Sequence, residues 1–168
     1  MTDFKGRGDH TEHWGTPDEI FIPLNRMFRF TLDTCALDQS VAKVNNFISP
    51  EEDGLNSKWF GINVWCNPPY GRGSLKAWTS KAKRELEAGH CEKVVMLIPA
   101  SISSIWFHEN VIPVMEEMIL VKRRIKFVGY KKDEPTKAAN FDSVIVVLSK
   151  PKGFFHHVIV SVLEKQVV

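Results

Sequence analysis

The strongest chemical signal in the chain is the run Asn67-Pro68-Pro69-Tyr70. Its two prolines lack backbone N–H donors, and each keeps the residue before it in an extended conformation. The side-chain oxygen of Asn67 and the carbonyl of Pro68 can therefore present two acceptors to one planar NH₂ group, while Tyr70 offers an aromatic face. The run predicts a receptor for a flat ring that bears an exocyclic amine. An ordinary Pro-Pro turn after a strand is the alternative interpretation.

Charge is distributed unevenly along the chain. Residues 1–60 carry 6 Lys/Arg and 10 Asp/Glu, whereas residues 61–168 carry 16 and 10. A basic stripe between Val121 and Lys132 contains no acid and holds Lys122, Arg123, Arg124, Lys126, Lys131 and Lys132. Such a stripe indicates a phosphate-rich partner, and a solvated face is the alternative.

Composition limits the class of protein. A chain of 168 residues with 43% hydrophobic and 25% charged residues is typical of one folded domain rather than a disordered chain. Its apolar runs fall far short of the ~18 residues of a membrane span, and no secretory signal is visible at the N-terminus. The three cysteines form no disulfide framework and the six histidines have no metal-ligand spacing, so we predict a reducing, cytoplasmic setting and no metal.

The elements that must position these residues alternate along the chain. Residues 1–12 are predicted to form a flexible arm, and residues 13–168 one compact domain. A helix start at Thr16-Pro17, with Thr16 as cap, and a helix over Ser74–Ala88 are predicted. Strands are predicted at Phe30–Asp33, Val44–Ile48, Ile62–Cys66, Lys93–Ile98, Met118–Val121, Ile125–Val128, Ser143–Leu148 and Phe154–Leu163, with a possible helix at Ile102–Val111. The alternation predicts an α/β domain with a largely parallel sheet, whose ligands bind where Asp33 and Asn67 end their strands.

Taken together, the order and spacing of several segments resemble the compact phage-type DNA N6-adenine methyltransferases, the phage Dam family. The resemblance covers roughly residues 13–148 and implies a single Rossmann-like methyltransferase domain, with a mostly parallel sheet flanked by helices and no separate target-recognition domain. The segments that carry it are Trp14-Gly15-Thr16-Pro17, Leu32-Asp33-Thr34-Cys35-Ala36, Asp53-Gly54-Leu55, Trp59, Asn67-Pro68-Pro69-Tyr70-Gly71, Leu97-Ile98-Pro99-Ala100, Trp106-Phe107-His108 and Arg124-Ile125-Lys126-Phe127.

The resemblance implies S-adenosylmethionine as cofactor. It places Asp33, and with it Asp38, at the methionine ammonium or ribose end, and Asp53 at the adenine amine. The segment from Trp14 through Thr16 and Pro17 closes over the methionine part, and Asn67 lies beside the reacting methyl group. One departure is that the loop after Asp33 holds Ala36 and no glycine, although glycine is what lets a backbone approach a ligand closely. Helix capping by Asp33 and a surface turn at Asp53 are the alternatives.

In the implied reaction, oxygen atoms of Asn67 and Pro68 accept hydrogen bonds from the N6 amine of adenine. The lone pair of N6 then attacks the cofactor's methyl group. A base paired inside a duplex is unreachable, so it must flip out and stack on Tyr70. DNA phosphates are expected to contact the stripe, and residues 131–140 to form a mobile loop at the DNA. The predicted phosphate contacts are Arg72, Arg123, Arg124, Lys126, Lys131 and Lys132.

Two other interpretations stay open at the level of the sequence. One is a methyltransferase that acts on an exocyclic amine of RNA or on protein glutamine, because both present a planar NH₂. The other is a nucleic-acid-binding module of the same fold without activity. The sequence leaves a monomer and a homodimer equally open. The family implies protection of phage DNA from host restriction in the bacterial cytoplasm.

Overall fold

A computed structural model describes residues 14–129, 138–150 and 159–163, the last of these by backbone alone. The predicted arm (1–12) lies outside the described residues, as do Lys131, Lys132 and most of the predicted loop at 131–140. The description therefore covers both strand ends that carry Asp33 and Asn67, together with the part of the basic stripe up to Gly129.

The described elements alternate as the sequence predicts. Two helices lie at Asp18–Phe28 (α1) and Ser74–Ala88 (α2), and a π-helical turn at Phe107–Val111 continues into a 3₁₀ turn at Ile112–Val114. The strands are Trp14–Gly15 (β1), Leu32–Asp33 (β2), Gly61–Cys66 (β3), Cys91–Pro99 (β4), Met115–Val121 (β5), Val128–Gly129 (β6), Ser143–Ser149 (β7) and Ile159–Leu163 (β8).

The main sheet has the order β2-β3-β4-β7-β5-β8 and is mixed. Strands β2, β3 and β4 pair in parallel, as do β5 and β8, but β7 runs antiparallel to both of its neighbours. The prediction of a mostly parallel sheet is thus corrected. The chain leaves β5 and returns as β7 at the same end of the sheet, a connection that produces antiparallel pairing. The apolar run of β7 indicates that both faces of the strand are buried, but it does not indicate whether the strand runs parallel or antiparallel to its neighbours.

Helices α1 and α2 pack on opposite faces of the main sheet. Trp78, Ala82 and Leu86 of α2 pack with Phe107 and Val111 on one face. Ile20, Phe21 and Leu24 of α1 pack on the other. The predicted bounds of α2 are confirmed, and its C-cap Gly89 has the left-handed φ of 74° that glycine adopts without strain.

The predicted helix start differs in detail from the structure. Helix α1 begins at Asp18, and Pro17 occupies the cap position without a side-chain cap. The backbone carbonyl of Pro17 accepts the N–H groups of Ile20 and Phe21. Thr16 therefore does not cap α1. The hydroxyl of Thr16 is buried and has no hydrogen-bond partner among the described residues.

Several short apolar runs form less regular structure than predicted. The run Val44–Ile48 contributes only one parallel bridge, between Phe47 and Asp33, and Ile125–Val128 pairs as a strand only from Val128. The predicted helix at Ile102–Val111 is confirmed from residue 105 onwards, where α-helical residues 105–106 lead into the π-helical turn Phe107–Val111, whereas residues 102–104 form a turn and a bend. A short apolar run can bury its side chains without forming a regular strand or helix, so apolar content alone does not determine the backbone conformation.

A second, two-stranded sheet joins the start of the described chain to the end of the basic stripe. Strand β1 pairs antiparallel with β6, with Trp14 opposite Gly129 and Gly15 opposite Val128. This pairing holds the Trp14 backbone over the edge of the main sheet at which β3 ends. Within the described residues, none of the helices has the length and apolar character needed to cross a membrane.

Candidate active site

Asn67 is the first residue after β3, and its side-chain amide is held in one orientation. Its Nδ2 donates a hydrogen bond to the backbone carbonyl of Trp14 at 2.6 Å. Because β1 is itself paired with β6, that carbonyl is a fixed acceptor. The amide nitrogen is therefore occupied, and the amide oxygen Oδ1 is turned towards Tyr70.

The Tyr70 hydroxyl lies between two acceptors. It is 2.7 Å from Asn67 Oδ1 and 3.0 Å from the carbonyl oxygen of Leu97 on β4. A phenol carries one hydrogen, so it donates to one of these oxygens at a time. The Tyr70 hydroxyl can therefore donate to the Leu97 carbonyl when another group donates a hydrogen bond to Asn67 Oδ1.

Two phenylalanines that the sequence analysis missed surround the Tyr70 ring. The ring centroid of Phe141 is 5.5 Å away at an interplanar angle of 84°, and that of Phe127 is 5.9 Å away at 74°. Phe127 lies within the basic stripe, directly before β6, and Phe141 lies two residues before β7. Their position at strand ends on the Asn67 side of the sheet was the available signal. Together with Tyr70 they form an aromatic wall beside the amide.

Two cavities lie near the strand ends, and the larger of them opens at the carboxyl ends of β2 and β3. It encloses about 740 Å³ and is walled by the loop after Asp33, the turn around Asp53 and the segment after Pro68. Its lining includes Cys35, Ala36, Leu37, Ile48, Asp53, Leu55, Pro69, Arg72 and Trp78. Ligand sites of this volume, mostly apolar with a few polar groups, are typical of cofactor and small-molecule binding.

Close packing inside this cavity explains one glycine. A Cβ on Gly54 would lie 2.6 Å from the Trp78 ring and 2.7 Å from the Thr34 carbonyl. Only glycine lets the Asp53 turn approach the loop after β2 so closely.

Asp33 is buried and organises the loop that follows it. Its Oδ1 accepts the Cys35 N–H at 3.1 Å and its Oδ2 accepts the Lys43 N–H at 3.0 Å. Burial raises the pKa of the Asp33 carboxyl, and these two N–H groups and the Lys43 charge oppose that rise. The carboxylate thereby fixes both ends of the segment 35–43, which borders both cavities.

The other two predicted acids lie on the outside of this region. Asp53 has a left-handed φ of 54° and lines the larger cavity, and its carboxylate accepts the Leu55 N–H and the Asn56 side-chain amide. Asp38 is exposed, and hydrogen bonds from the hydroxyl and N–H of Ser40 lower its pKa. The structure therefore places Asp53 at a cavity wall and leaves Asp38 at the surface.

A smaller cavity of about 530 Å³ lies between α1, the segment 40–43 and β6. Thr16, Ser40 and Lys43 are among the residues that line it. Trp14 is half-buried and Pro17 is buried. The segment from Trp14 to Pro17 thus contacts Asn67 at one end and this cavity at the other.

The described part of the basic stripe alternates between buried and exposed residues. Ile125 and Phe127 are buried, whereas Arg124 and Lys126 are exposed on the opposite side of the chain. Arg124 Nε lies 3.4 Å from the exposed Asp142 carboxylate. Arg123 is also exposed and has a left-handed φ of 72°.

Arg72 occupies a different position from the rest of the predicted phosphate contacts. It is exposed and lies on the wall of the larger cavity, two residues after Tyr70. Among the described residues, no three His, Cys, Asp or Glu side chains lie close enough together to hold a metal ion.

The family model of DNA N-6-adenine-methyltransferase (Dam) matches residues 5–167. This chain belongs to the Dam family. Over 155 residues it is 32% identical to the DNA N-6-adenine-methyltransferase of Haemophilus phage HP1 (strain HP1c1), covering 91% of this chain and 87% of that protein. It is also 34% identical over 99 residues to the DNA N-6-adenine-methyltransferase of Escherichia phage T1, covering 57% of this chain and 39% of that one.

The fold of this Dam family member is also found in a solved structure. A Listeria monocytogenes protein assigned to the class I S-adenosylmethionine-dependent methyltransferases superposes with a TM-score of 0.56 at 13% identity, over 94% of this chain and 68% of that chain. The likeness concerns the fold. The predicted family and its DNA adenine-N6 methyltransferase activity are confirmed.

Proposed function

We propose that Asn67-Pro68-Pro69-Tyr70 is where this Dam family member methylates N6 of an adenine flipped out of DNA. The observation that carries the proposal is the held Asn67 amide. Its nitrogen is bound by the Trp14 carbonyl at 2.6 Å, which directs its oxygen to the place where an incoming amine meets the Tyr70 ring.

The residues of the chain act by orientation and polarisation. Asn67 Oδ1 and the Pro68 carbonyl accept the two hydrogens of the adenine amine, which favours a tetrahedral nitrogen with an available lone pair. S-adenosylmethionine supplies an electrophilic methyl group on a sulfonium. A carboxamide is neutral at working pH, so Asn67 polarises the amine and does not take its proton. Transfer releases S-adenosylhomocysteine, and the proton that the methylated nitrogen loses passes to water. As the amine arrives, the Tyr70 hydroxyl shifts its hydrogen bond to the Leu97 carbonyl, 3.0 Å away.

The two cavities fit an elongated cofactor that carries a flat base at one end and an ammonium at the other. In our proposal the adenine end occupies the larger cavity, near Asp53 and Ala36. The methionine end passes the loop held by Asp33 and reaches Thr16, whose buried hydroxyl lacks a partner among the described residues. Trp14 and Pro17 close this end, and Asp38 at the surface is the least supported of the predicted contacts.

DNA phosphates are proposed to lie along the exposed row of Arg124 and Lys126, with Arg72 on the cavity side of the base. Arg123, Lys131 and Lys132 remain proposed contacts on the strength of the sequence. One domain covering residues 13–168 then performs both recognition and transfer. We propose that it acts on phage DNA in the bacterial cytoplasm, where the methyl group protects that DNA from host restriction.

Methylation of purified substrates tests the proposal. Full-length protein and S-adenosylmethionine labelled in its methyl group should label DNA from a host without adenine methylation, and the label should be recovered as N6-methyladenine. RNA and protein substrates serve as parallel samples, because a planar NH₂ is also present in RNA bases and in glutamine. Label that appears only in RNA or in glutamine would refute the proposed substrate, and base-resolved sequencing of the DNA would give the target site.

Removing the charges of Arg124 and Lys126 should lower the dependence of DNA binding on salt. Each lost phosphate contact reduces the slope of log K against log salt by about 0.9 for duplex DNA, so the double alanine variant should lose about 1.8. Binding of an unmethylated duplex is measured at several salt concentrations. Arg84→Ala is the matched control, because Arg84 is exposed on α2 at the other face of the sheet. An unchanged slope in the double variant would mean that DNA follows another path.

Two substitutions of Tyr70 should separate its ring from its hydroxyl. Tyr70→Ala removes the stacking surface and should weaken binding of the flipped base by about 1–3 kcal/mol. Tyr70→Phe keeps the ring and loses the hydrogen bonds to Asn67 and Leu97, so it should lower kcat with little change in KM. Both constants are measured on duplex DNA that carries the mapped site. If Tyr70→Ala methylated DNA with the wild-type kcat and KM, Tyr70 would not stack on the flipped adenine.

A further inference from the structure

Two cysteines meet where the larger cavity joins the catalytic segment. The sulfur atoms of Cys35 and Cys66 are 3.8 Å apart. Cys35 is half-buried in the cavity wall, and Cys66 is fully buried as the last residue of β3, directly before Asn67. The third cysteine, Cys91, begins β4 at the opposite end of the sheet.

The backbone holds these two thiols as neighbours. Asp33 is paired in register with Trp65, and the Thr34 N–H donates to the Trp65 carbonyl at 3.1 Å. A disulfide at this position needs the sulfur atoms to approach from 3.8 Å to about 2.0 Å.

The loop must make most of this movement. Cys66 belongs to a strand that is paired on its other side with Met96 of β4. Cys35 belongs to the loop after β2, tied chiefly by the bond of its N–H to the Asp33 carboxylate at 3.1 Å. Drawing Cys35 towards β3 displaces Ala36 and Leu37, which line the cavity.

We propose that Cys35 and Cys66 form an oxidative modification site, which a peroxide converts to a disulfide and which thereby deforms the cofactor cavity. The Cys35 thiolate attacks one peroxide oxygen, the O–O bond breaks, and a sulfenic acid and one water result. Cys66 sulfur then attacks the Cys35 sulfur, the S–O bond breaks and a second water leaves. Two thiols and one hydrogen peroxide thus give one disulfide and two waters. The bond formation stands apart from the proposed function, whereas its effect on cofactor affinity rests on it.

The surroundings of Cys35 set the conditions for this reaction. Burial raises the pKa of the Cys35 thiol, and the neighbouring Cys66 and the Asp33 carboxylate raise it further, while a hydrogen bond with Thr34 opposes them. The reactive thiolate is therefore scarce at neutral pH, and oxidation should accelerate as the pH rises. Burial and the Glu85 carboxylate raise the pKa of Cys91 to about 12, so this thiol is also protonated at neutral pH.

The test oxidises the purified full chain with hydrogen peroxide at pH 8.5 and then alkylates free thiols after unfolding. The intact mass should fall by two hydrogens, one thiol of three should remain alkylatable, and a digest should contain a Cys35–Cys66 cross-linked peptide. Cys91→Ala should form the same bond and Cys35→Ser should not. Three free thiols after oxidation, or a cross-link that involves Cys91, would overturn the proposal.

Calorimetric titration with S-adenosylhomocysteine provides the second measurement. Oxidised protein should bind at least tenfold more weakly than reduced protein, and dithiothreitol should restore binding. The affinity of Cys35→Ser should be the same before and after peroxide, with circular dichroism confirming that each sample is folded. A disulfide without any change in affinity would refute the effect on the cavity. Reduced wild-type protein that fails to bind would instead contradict the proposed cofactor site, leaving the disulfide to be judged from the mass.

Discussion

Asn67→Ala is expected to lower kcat by a hundredfold to a thousandfold, equivalent to about 2.7–4 kcal/mol, which is typical when one preorganised acceptor or donor at a reacting atom is removed. The loss belongs to the chemical step, because alanine can neither polarise the adenine amine nor hold it in line with the methyl group. Cofactor affinity should change little, since Asn67 is not among the residues that line either cavity. Single-turnover methylation of duplex DNA and calorimetric titration of S-adenosylhomocysteine measure the two effects separately.

A second asparagine provides a matched control for this substitution. The Asn46 side chain also donates from Nδ2 to a backbone carbonyl, that of Thr31 at 3.2 Å, but it is exposed and separate from the Asn67–Tyr70 segment. Asn46→Ala should therefore retain turnover close to that of the wild type. Wild-type turnover in Asn67→Ala would exclude the assigned role, and equal losses in both variants would indicate a general structural effect.

Part of this site could be predicted because its information is local. Two prolines after an apolar strand indicate that the strand ends just before Asn67. They also indicate that the acceptors of Asn67 and Pro68 are not used in strand pairing. The group that fixes the amide is a backbone carbonyl 53 residues earlier in the chain, and any residue type at position 14 would supply one. Sequence pattern contains no record of such a contact, so the orientation of Asn67 could be found only in the structure.

Helix α2 shows the same division between local and distant information. Its apolar face repeats with helical period, and its bounds were predicted correctly. Lys81 and Glu85 were not identified as interior residues, because charged side chains usually lie at the surface. They are buried because Trp59 and His90, from outside the helix, pack against them and bind them. The direction of β7 was missed for a related reason, since the return of the chain from β5 is a property of a connection and not of the apolar run.

The buried pair on α2 predicts the largest effect on stability. Lys81 Nζ donates to Glu85 Oε1 at 2.6 Å, and both side chains are more than nine-tenths buried. The other oxygen of Glu85 accepts the Trp59 N–H at 2.8 Å and lies 2.8 Å from His90 Nδ1. Both oxygens of the Glu85 carboxylate thus have hydrogen-bond or ion-pair partners within one cluster. Trp59 in turn donates from Nε1 to the Gly54 carbonyl at 2.8 Å, which connects the cluster to the wall of the larger cavity.

Glu85→Ala should lower the free energy of unfolding by about 3–5 kcal/mol, because it leaves the Lys81 ammonium buried without its counter-charge. Glu87→Ala, at an exposed position on the same helix, should change it by less than about 0.5 kcal/mol. Burial alone would raise the pKa of Glu85, but the bonds from Lys81, Trp59 and His90 outweigh it and leave that pKa below its ordinary value. The carboxylate's contribution is therefore present above the unfolded-state pKa and is lost as the pH falls through the lower folded-state value. Urea unfolding at pH 7 and at successively lower pH should show the wild type converging on Glu85→Ala, and a constant difference down to pH 3 would mean that the ionised carboxylate is not what holds this cluster together.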